Sequence, residues 1–187
     1  WDAAAMALLG QRAENRWVGV NCGIMDQMIS ARGKNGHALL LDCRSLEGQH
    51  VPLPNGVAVV VLDTGTRRGL VDSAYNERRA QCEAAARFFS VGALRDVDEE
   101  TFADRMHALG ETPRRRARHV ISENGRTERA AEAMRQGDAQ ELGLLLNESH
   151  VSLRDDFSVS SEALDAMVEC AQDHAGCYGA RMTGAGF

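Results

Sequence analysis

Apolar residues along the chain recur mostly at the three-to-four spacing of amphipathic helices, interrupted by a few short continuous apolar runs. Residues 2–16 are rich in Ala and Leu and end in Gln11, Arg12 and Glu14, a pattern that predicts a helix. A loop with Gly19 and Asn21 follows. Ile24, Met25, Met28 and Ile29 then return to helical spacing, so a second helix starts near Cys22 or Gly23. Lys34-Asn35-Gly36 reads as a turn. Residues 37–43 read as a strand, with 49–53 as an edge partner. Residues 57–63 (VAVVVLD) are almost wholly apolar and β-branched, the pattern of a strand buried on both faces. Helices follow over 73–89, 98–109, 113–136 and 161–174. Gly137 ends the third of these, and Asp138 is placed to cap a further helix. Residues 178–183 read as a short strand entering a glycine turn. Taken together, the pattern is α+β or mixed α/β, with more helix than strand.

The strongest break is Pro52-Leu53-Pro54-Asn55-Gly56, which divides residues 1–56 from 57–187. A chain of 187 residues buries a real core without help from disulfides or metals. The formal charge of -6 argues against a general nucleic-acid binder, which needs a basic face, and leaves room for a local basic pocket. Five cysteines, an odd number without C-x-x-C spacing, read as reduced thiols of a cytoplasmic protein. No apolar run approaches the roughly 20 residues of a membrane span, and no signal peptide is visible. The chain starts at Trp1 within a helical pattern and stops in the turn Gly184-Ala185-Gly186-Phe187, so it is expected to be an internal segment of a longer protein.

Four runs carry candidate chemistry. In Asn21-Cys22-Gly23-Ile24-Met25-Asp26-Gln27, a glycine before a helix lets the backbone approach a ligand closely. An Asp in the first helical turn is favoured by the helix dipole and can accept a proton from a hydroxyl. On these residues alone, an ordinary first-turn acid is the simpler reading of Asp26. Glu14, twelve residues earlier, lies on a helix that ends near this loop. Two acids converging on one site would suit phosphoryl transfer, and a solvated helix acid remains the plainer alternative. In the run Asp72–Arg79, Ser73 and Glu77 form a loose capping box, while Tyr75 offers a hydroxyl and an aromatic face useful against a sugar, or is simply a core-edge tyrosine. Residues 147–157 (NESHVSLRDDF) pack many polar side chains together. A Ser149–His150–Asp155 triad is rejected because no nucleophile-elbow pattern accompanies the serine; a buried polar network joining helices fits better. The Gly/Thr-rich turn Gly179–Gly186 is of a kind that approaches phosphate or supports a loop that does.

In order and wording these runs closely resemble the galactokinase family of GHMP small-molecule kinases. The matching runs are VNCGIMDQ at 20–27, HALLLDCRSLE at 37–47, DSAYNERRAQCE at 72–83, RARHVISENGRT at 116–127, NESHVSLRDDFSVSSEALD at 147–165 and GARMTGAGF at 179–187. The resemblance covers essentially the whole chain. It implies transfer of the γ-phosphoryl of ATP, with Mg²⁺, to the C1 hydroxyl of α-D-galactose, the entry step of galactose catabolism. It implies Asp26 as the catalytic base and as a sugar contact, Gly23 and Tyr75 as further sugar contacts, Glu14 as a Mg²⁺ ligand, and Thr183, Gly184 and Gly186 as support for the phosphate region. It implies a GHMP kinase fold, with residues 1–56 ending a ribosomal-S5-like domain and 57–187 forming most of a ferredoxin-like domain. Galactose and ATP are the implied ligands, with neither nucleic acid nor membrane as a partner. The first two family motifs, one with the transition-state arginine and one with the serine-rich phosphate loop, are absent from these 187 residues, so the segment alone is expected to be inactive. Related-sugar kinases, for N-acetylgalactosamine or arabinose, and non-catalytic galactose-sensing inducers share enough of the pattern to stand as alternatives.

Overall fold

The computed structural model describes residues 2–19, 21–66 and 71–186, with the backbone alone for 71–73. Contacts group these residues into two compact units, Trp1–Val57 with Ala131–Asp138, and Ala58–Ala130 with Ala139–Phe187.

In the first unit, helix α1 (Ala3–Ala13) begins where the Asp2 carboxylate accepts the Ala4 and Ala5 amides. It continues into a wider π-helical turn, Glu14–Val18, which Gly19 ends at φ 87°. Helix α2 (Met25–Arg32) starts about two residues later than the periodicity predicts, because Ile24 still lies outside the helix as its cap residue. Strands β1 (His37–Leu41) and β2 (Gly48–Pro52) pair antiparallel, with His37 opposite Pro52 and Leu41 opposite Gly48, as the apolar pattern predicts. The turn joining them is held by the Asp42 carboxylate, which accepts the Arg44 and Ser45 amides. Ala7, Ile24 and Met28 form the core of this unit, with Leu39 and Leu41 packed against them. The end of α2 is tied to the hairpin: Arg32 donates to the Leu46 carbonyl at 3.1 Å, and its own carbonyl lies 2.7 Å from His50 Nε2.

The second unit contains α3 (Val71–Phe89), α4 (Glu99–Arg105), the first part of α5 (Glu111–Gln136), α6 (Ala139–Ser152) and α7 (Glu162–Gln172). Gly137 ends α5 at φ 72°, Asp98 caps α4 through the Thr101 amide, and Ser161 caps α7 through Leu164, as their residue types predict. Helix α3 begins at Val71, so Ser73 lies inside its first turn, and the Ser73 side chain is outside the described residues. The main core gathers Ala85, Phe89, Leu94, Phe102, Ala117 and Ile121 from α3, α4, α5 and the intervening turn. A smaller one joins Leu153, Val159 and Met182.

Two predicted strands are corrected. Residues 57–63 have no regular structure, and Val59, Val60 and Val61 are 72–83% exposed. A β-branched run becomes a strand only where a neighbour satisfies its amides and carbonyls. Among the described residues β1 and β2 pair only with each other. Residues 178–183 form no strand either; this strap is held by side chains of α6 instead of a ladder. The described residues are therefore α+β, helix-rich, with one two-stranded sheet.

Candidate active site

Of the residues singled out from sequence, Glu14, Gly23 and Asp26 fall in the first unit. Tyr75, Thr183, Gly184 and Gly186 fall in the second.

Asp26 stands in the first turn of α2, exposed. Its carbonyl takes the Ser30 hydroxyl at 2.8 Å, while its carboxylate has no hydrogen bond or ion pair among the described residues. With Gln27, Ser30, Ala31, Met6 and Ala7 it lines an open depression of about 460 Å³. The loop before α2 is clasped to α1 by groups that periodicity could not single out. Gln11 donates to the Cys22 carbonyl at 3.2 Å, the Cys22 thiol points at Asn15 Oδ1 at 3.4 Å, and Gln27 Nε2 lies 3.8 Å from the Cys22 sulfur. Gly23 sits in this clasp. A Cβ there would meet nothing within 4 Å, and no positive φ requires glycine. Packing within the chain therefore leaves its glycine unexplained, whereas close approach of a ligand would explain it.

Glu14 is exposed in the π-helical turn and makes no ion pair among the described residues. No group of three or more His, Cys, Asp or Glu able to hold a metal occurs among the described residues. Mg²⁺ takes one or two carboxylates and completes its shell with water and phosphate oxygens, so a single free hard-oxygen donor such as Glu14 fits it.

Tyr75 is half-buried on α3, and its hydroxyl has no hydrogen bond among the described residues. Its helix is anchored three and six residues on. Gln81 Oε1 accepts from Arg78 and, at 2.8 Å, from the Nε of buried Arg116. Arg116 also donates to the Asp156 carbonyl and to Ser158 Oγ, and Arg78 donates to the Ser158 carbonyl at 3.2 Å. The two arginines thereby hold the left-handed residue Ser158, φ 54°, at the end of the π-helical turn Leu153–Phe157.

Within the polar run 147–157, Ser149, His150 and Ser152 are buried and join the network its composition predicts, while Glu148, Arg154 and Asp155 are exposed. Ser149 is 2% exposed and donates to Glu123 Oε1 at 2.5 Å, while Arg181 donates to Glu123 at 3.1 Å and to Ser149 Oγ at 2.8 Å. Burial alone would raise the Glu123 carboxyl, but the Ser149 hydroxyl and the Arg181 and Arg126 guanidiniums hold it below its ordinary value. The Asn147 side-chain oxygen Oδ1 accepts the Ala180 amide at 2.9 Å. Gly184 and Gly186 take φ of 78° and 75°, which suits the turn expected from their sequence.

His119 lies 2.9 Å from Ser152 Oγ and stacks on Phe157 with ring centroids 4.4 Å apart. Burial depresses its pKa from 6.5 to about 4, with Arg126 and Arg181 adding and Glu123 and Asp156 opposing. The unfolded chain takes up a proton near pH 6.5 that the folded chain refuses until about pH 4. Stability is therefore fully present above pH 6.5 and declines as pH falls towards 4, by about 2–3 kcal/mol. Urea melts across that range should show the decline in the natural chain and much less of it in His119→Gln; equal slopes would refute the assignment.

Residues 130–187 match the family model described as GHMP kinases C terminal. Over 100% of its length the chain superposes on the crystal structure of Lactococcus lactis galactokinase complexed with galactose, with a TM-score of 0.89 and 39% sequence identity. The chain is similar to the GHMP kinases and has their fold, as its motifs imply. The solved relative is a galactokinase of that family, and the chain spans 50% of the length of the Lactococcus chain. No helix among the described residues is long and apolar enough to cross a membrane.

Proposed function

We propose that this chain supplies the Asp26 half of an ATP-dependent galactokinase, which phosphorylates the C1 hydroxyl of α-D-galactose. The observation that carries this reading is the free Asp26 carboxylate at the head of α2, lining an open depression, in a chain 39% identical to a galactokinase solved with galactose.

Asp26 accepts the hydrogen bond of the sugar C1 hydroxyl and takes its proton. The transition state of phosphoryl transfer is loose, so alignment of the hydroxyl matters more than early proton removal. The Gly23 backbone meets the sugar where no Cβ intervenes, and the Tyr75 hydroxyl donates to a sugar oxygen. Glu14 would hold Mg²⁺, which when bound to ATP offsets charge on the phosphate oxygens. Thr183, Gly184 and Gly186 support the phosphate region through the strap. Residues 1–56 and 57–187 are read as parts of the S5-like and ferredoxin-like domains. The five free cysteines suit a reducing compartment such as the cytoplasm.

The test is kcat/KM for a panel of sugars with a full-length kinase carrying this sequence. Galactose should exceed N-acetylgalactosamine, arabinose and a uronic acid by at least about tenfold, the scale of a lost polar contact. Another sugar in first place would replace the substrate. Galactose and ATP binding without turnover would replace the enzyme by a sugar sensor.

A further inference from the structure

The strap after Tyr178 brings the Thr183–Gly186 turn to its place without a β-ladder, so something else must fix it. Met182 is a fixed point beside the turn: its side chain packs with Leu153 and Val159, and its amide donates to Nδ1 of His150 at 3.3 Å. Both residues are buried, His150 at 4% exposure and Met182 at 2%. An imidazole nitrogen that accepts carries no proton. The proton of neutral His150 is therefore on Nε2, which lies 3.2 Å from Asp165 Oδ1 and donates to it. That carboxylate oxygen also receives the Ser160 hydroxyl at 2.5 Å. Ser160 and Asp165 thus select the tautomer, and the tautomer supplies the acceptor for Met182.

We infer that His150 is a positioning residue for phosphoryl transfer: its unprotonated Nδ1 holds the Met182 amide and so sets the Thr183–Gly186 turn. The catalytic part of this inference rests on the kinase reading above; the mechanical part does not. Protonation would turn Nδ1 into a donor facing another donor, leaving a buried amide without a partner, which the turn can relieve only by moving. The groups facing the imidazole are Asp165 on α7, Arg154 and Asp155 after α6, and Arg181 on the strap. Burial lowers the proton affinity of His150, Arg154 and Arg181 add to that, and Asp165 opposes it, so the accepting form prevails at neutral pH.

The experiment uses a full-length kinase carrying this sequence and reads Met182 amide exchange, kcat, KM for galactose and the acid limb of kcat. His150→Leu removes the acceptor. It should abolish the protection of the Met182 amide and lower kcat about ten- to a hundredfold, with KM for galactose little changed. His150→Asn offers an oxygen near the Nδ1 position and cannot titrate. It should restore protection and most of kcat, with the His150 acid limb gone. Asp165→Asn removes the carboxylate that favours the imidazolium, so the limb should shift to lower pH. Unchanged Met182 protection in His150→Leu overturns the inference, as does an acid limb common to the natural chain and both His150 variants. Lost protection with undiminished kcat overturns the catalytic part. A protein that never phosphorylates a sugar refutes the kinase reading, while amide exchange still decides the mechanical part.

Discussion

Replacing Asp26 by Asn in a full-length kinase carrying this sequence lowers kcat by about 10²–10⁴-fold and leaves ATP affinity nearly unchanged. The substitution keeps the size and shape of the side chain and removes its negative charge. Asp26 does little for the fold through that charge: it is exposed, and only its backbone carbonyl is bonded, to Ser30. The melting temperature should therefore stay close to that of the unsubstituted protein. A loss of turnover with the fold and nucleotide binding intact isolates the carboxylate as the group that meets the sugar hydroxyl. Steady-state kinetics, ATP titration calorimetry and thermal melting of the same preparation make the comparison. Near-normal turnover would remove Asp26 from the chemistry.

Gly143→Ala should be among the most damaging single methyls in the second unit. A Cβ at Gly143 would lie 2.0 Å from the Tyr178 carbonyl oxygen, and one at Gly179 would lie 2.0 Å from the Gly143 carbonyl oxygen. At this point α6 and the strap touch backbone to backbone, with no side chain that could rotate away. Overpacking a core by a methylene typically costs about 1–3 kcal/mol. A backbone collision belongs at or above the top of that range, so the expected loss is about 3 kcal/mol or more. If the strap yields instead of the helix, the Ala180–Asn147 and Met182–His150 bonds are lost with it. Urea denaturation reads the first outcome, and faster proteolysis after Tyr178 reads the second. A variant unchanged in both would contradict the contact.

Much of this architecture was legible in the chain. Helical spacing located α1 to within a turn, and the apolar runs at 37–43 and 49–53 located the hairpin with its partner. Gly137 marked the end of α5 because glycine suits the left-handed backbone there. The polar run 147–157 was readable as a network because so many adjacent polar groups on a helix must find partners when buried. What failed was local inference about strands. Residues 57–63 have the composition of a strand, yet whether a strand forms depends on neighbours that composition cannot name. The strap 178–183 was misread for the same reason, its amides being taken by Asn147 and His150 about thirty residues earlier.

The candidate site was legible in a different way. Asp26, Gly23, Glu14 and Tyr75 were visible as residues suited to the chemistry, but each had an ordinary alternative until the family runs were read together. The structure adds the free carboxylate, the open depression and the sterically unexplained Gly23. The clasp of Gln11, Asn15 and Cys22 could not be foreseen, since such contacts follow from how two helices meet and not from spacing along either.

The central claim is that this chain belongs to an enzyme that places phosphate on C1 of galactose. The most direct measurement is phosphorus NMR of the product formed from ATP, Mg²⁺ and galactose by a full-length kinase carrying this sequence. A single sugar-phosphate resonance coupled to the α-anomeric proton is the predicted result. Phosphate coupled to a proton on any other carbon, or no sugar phosphate at all, would contradict it.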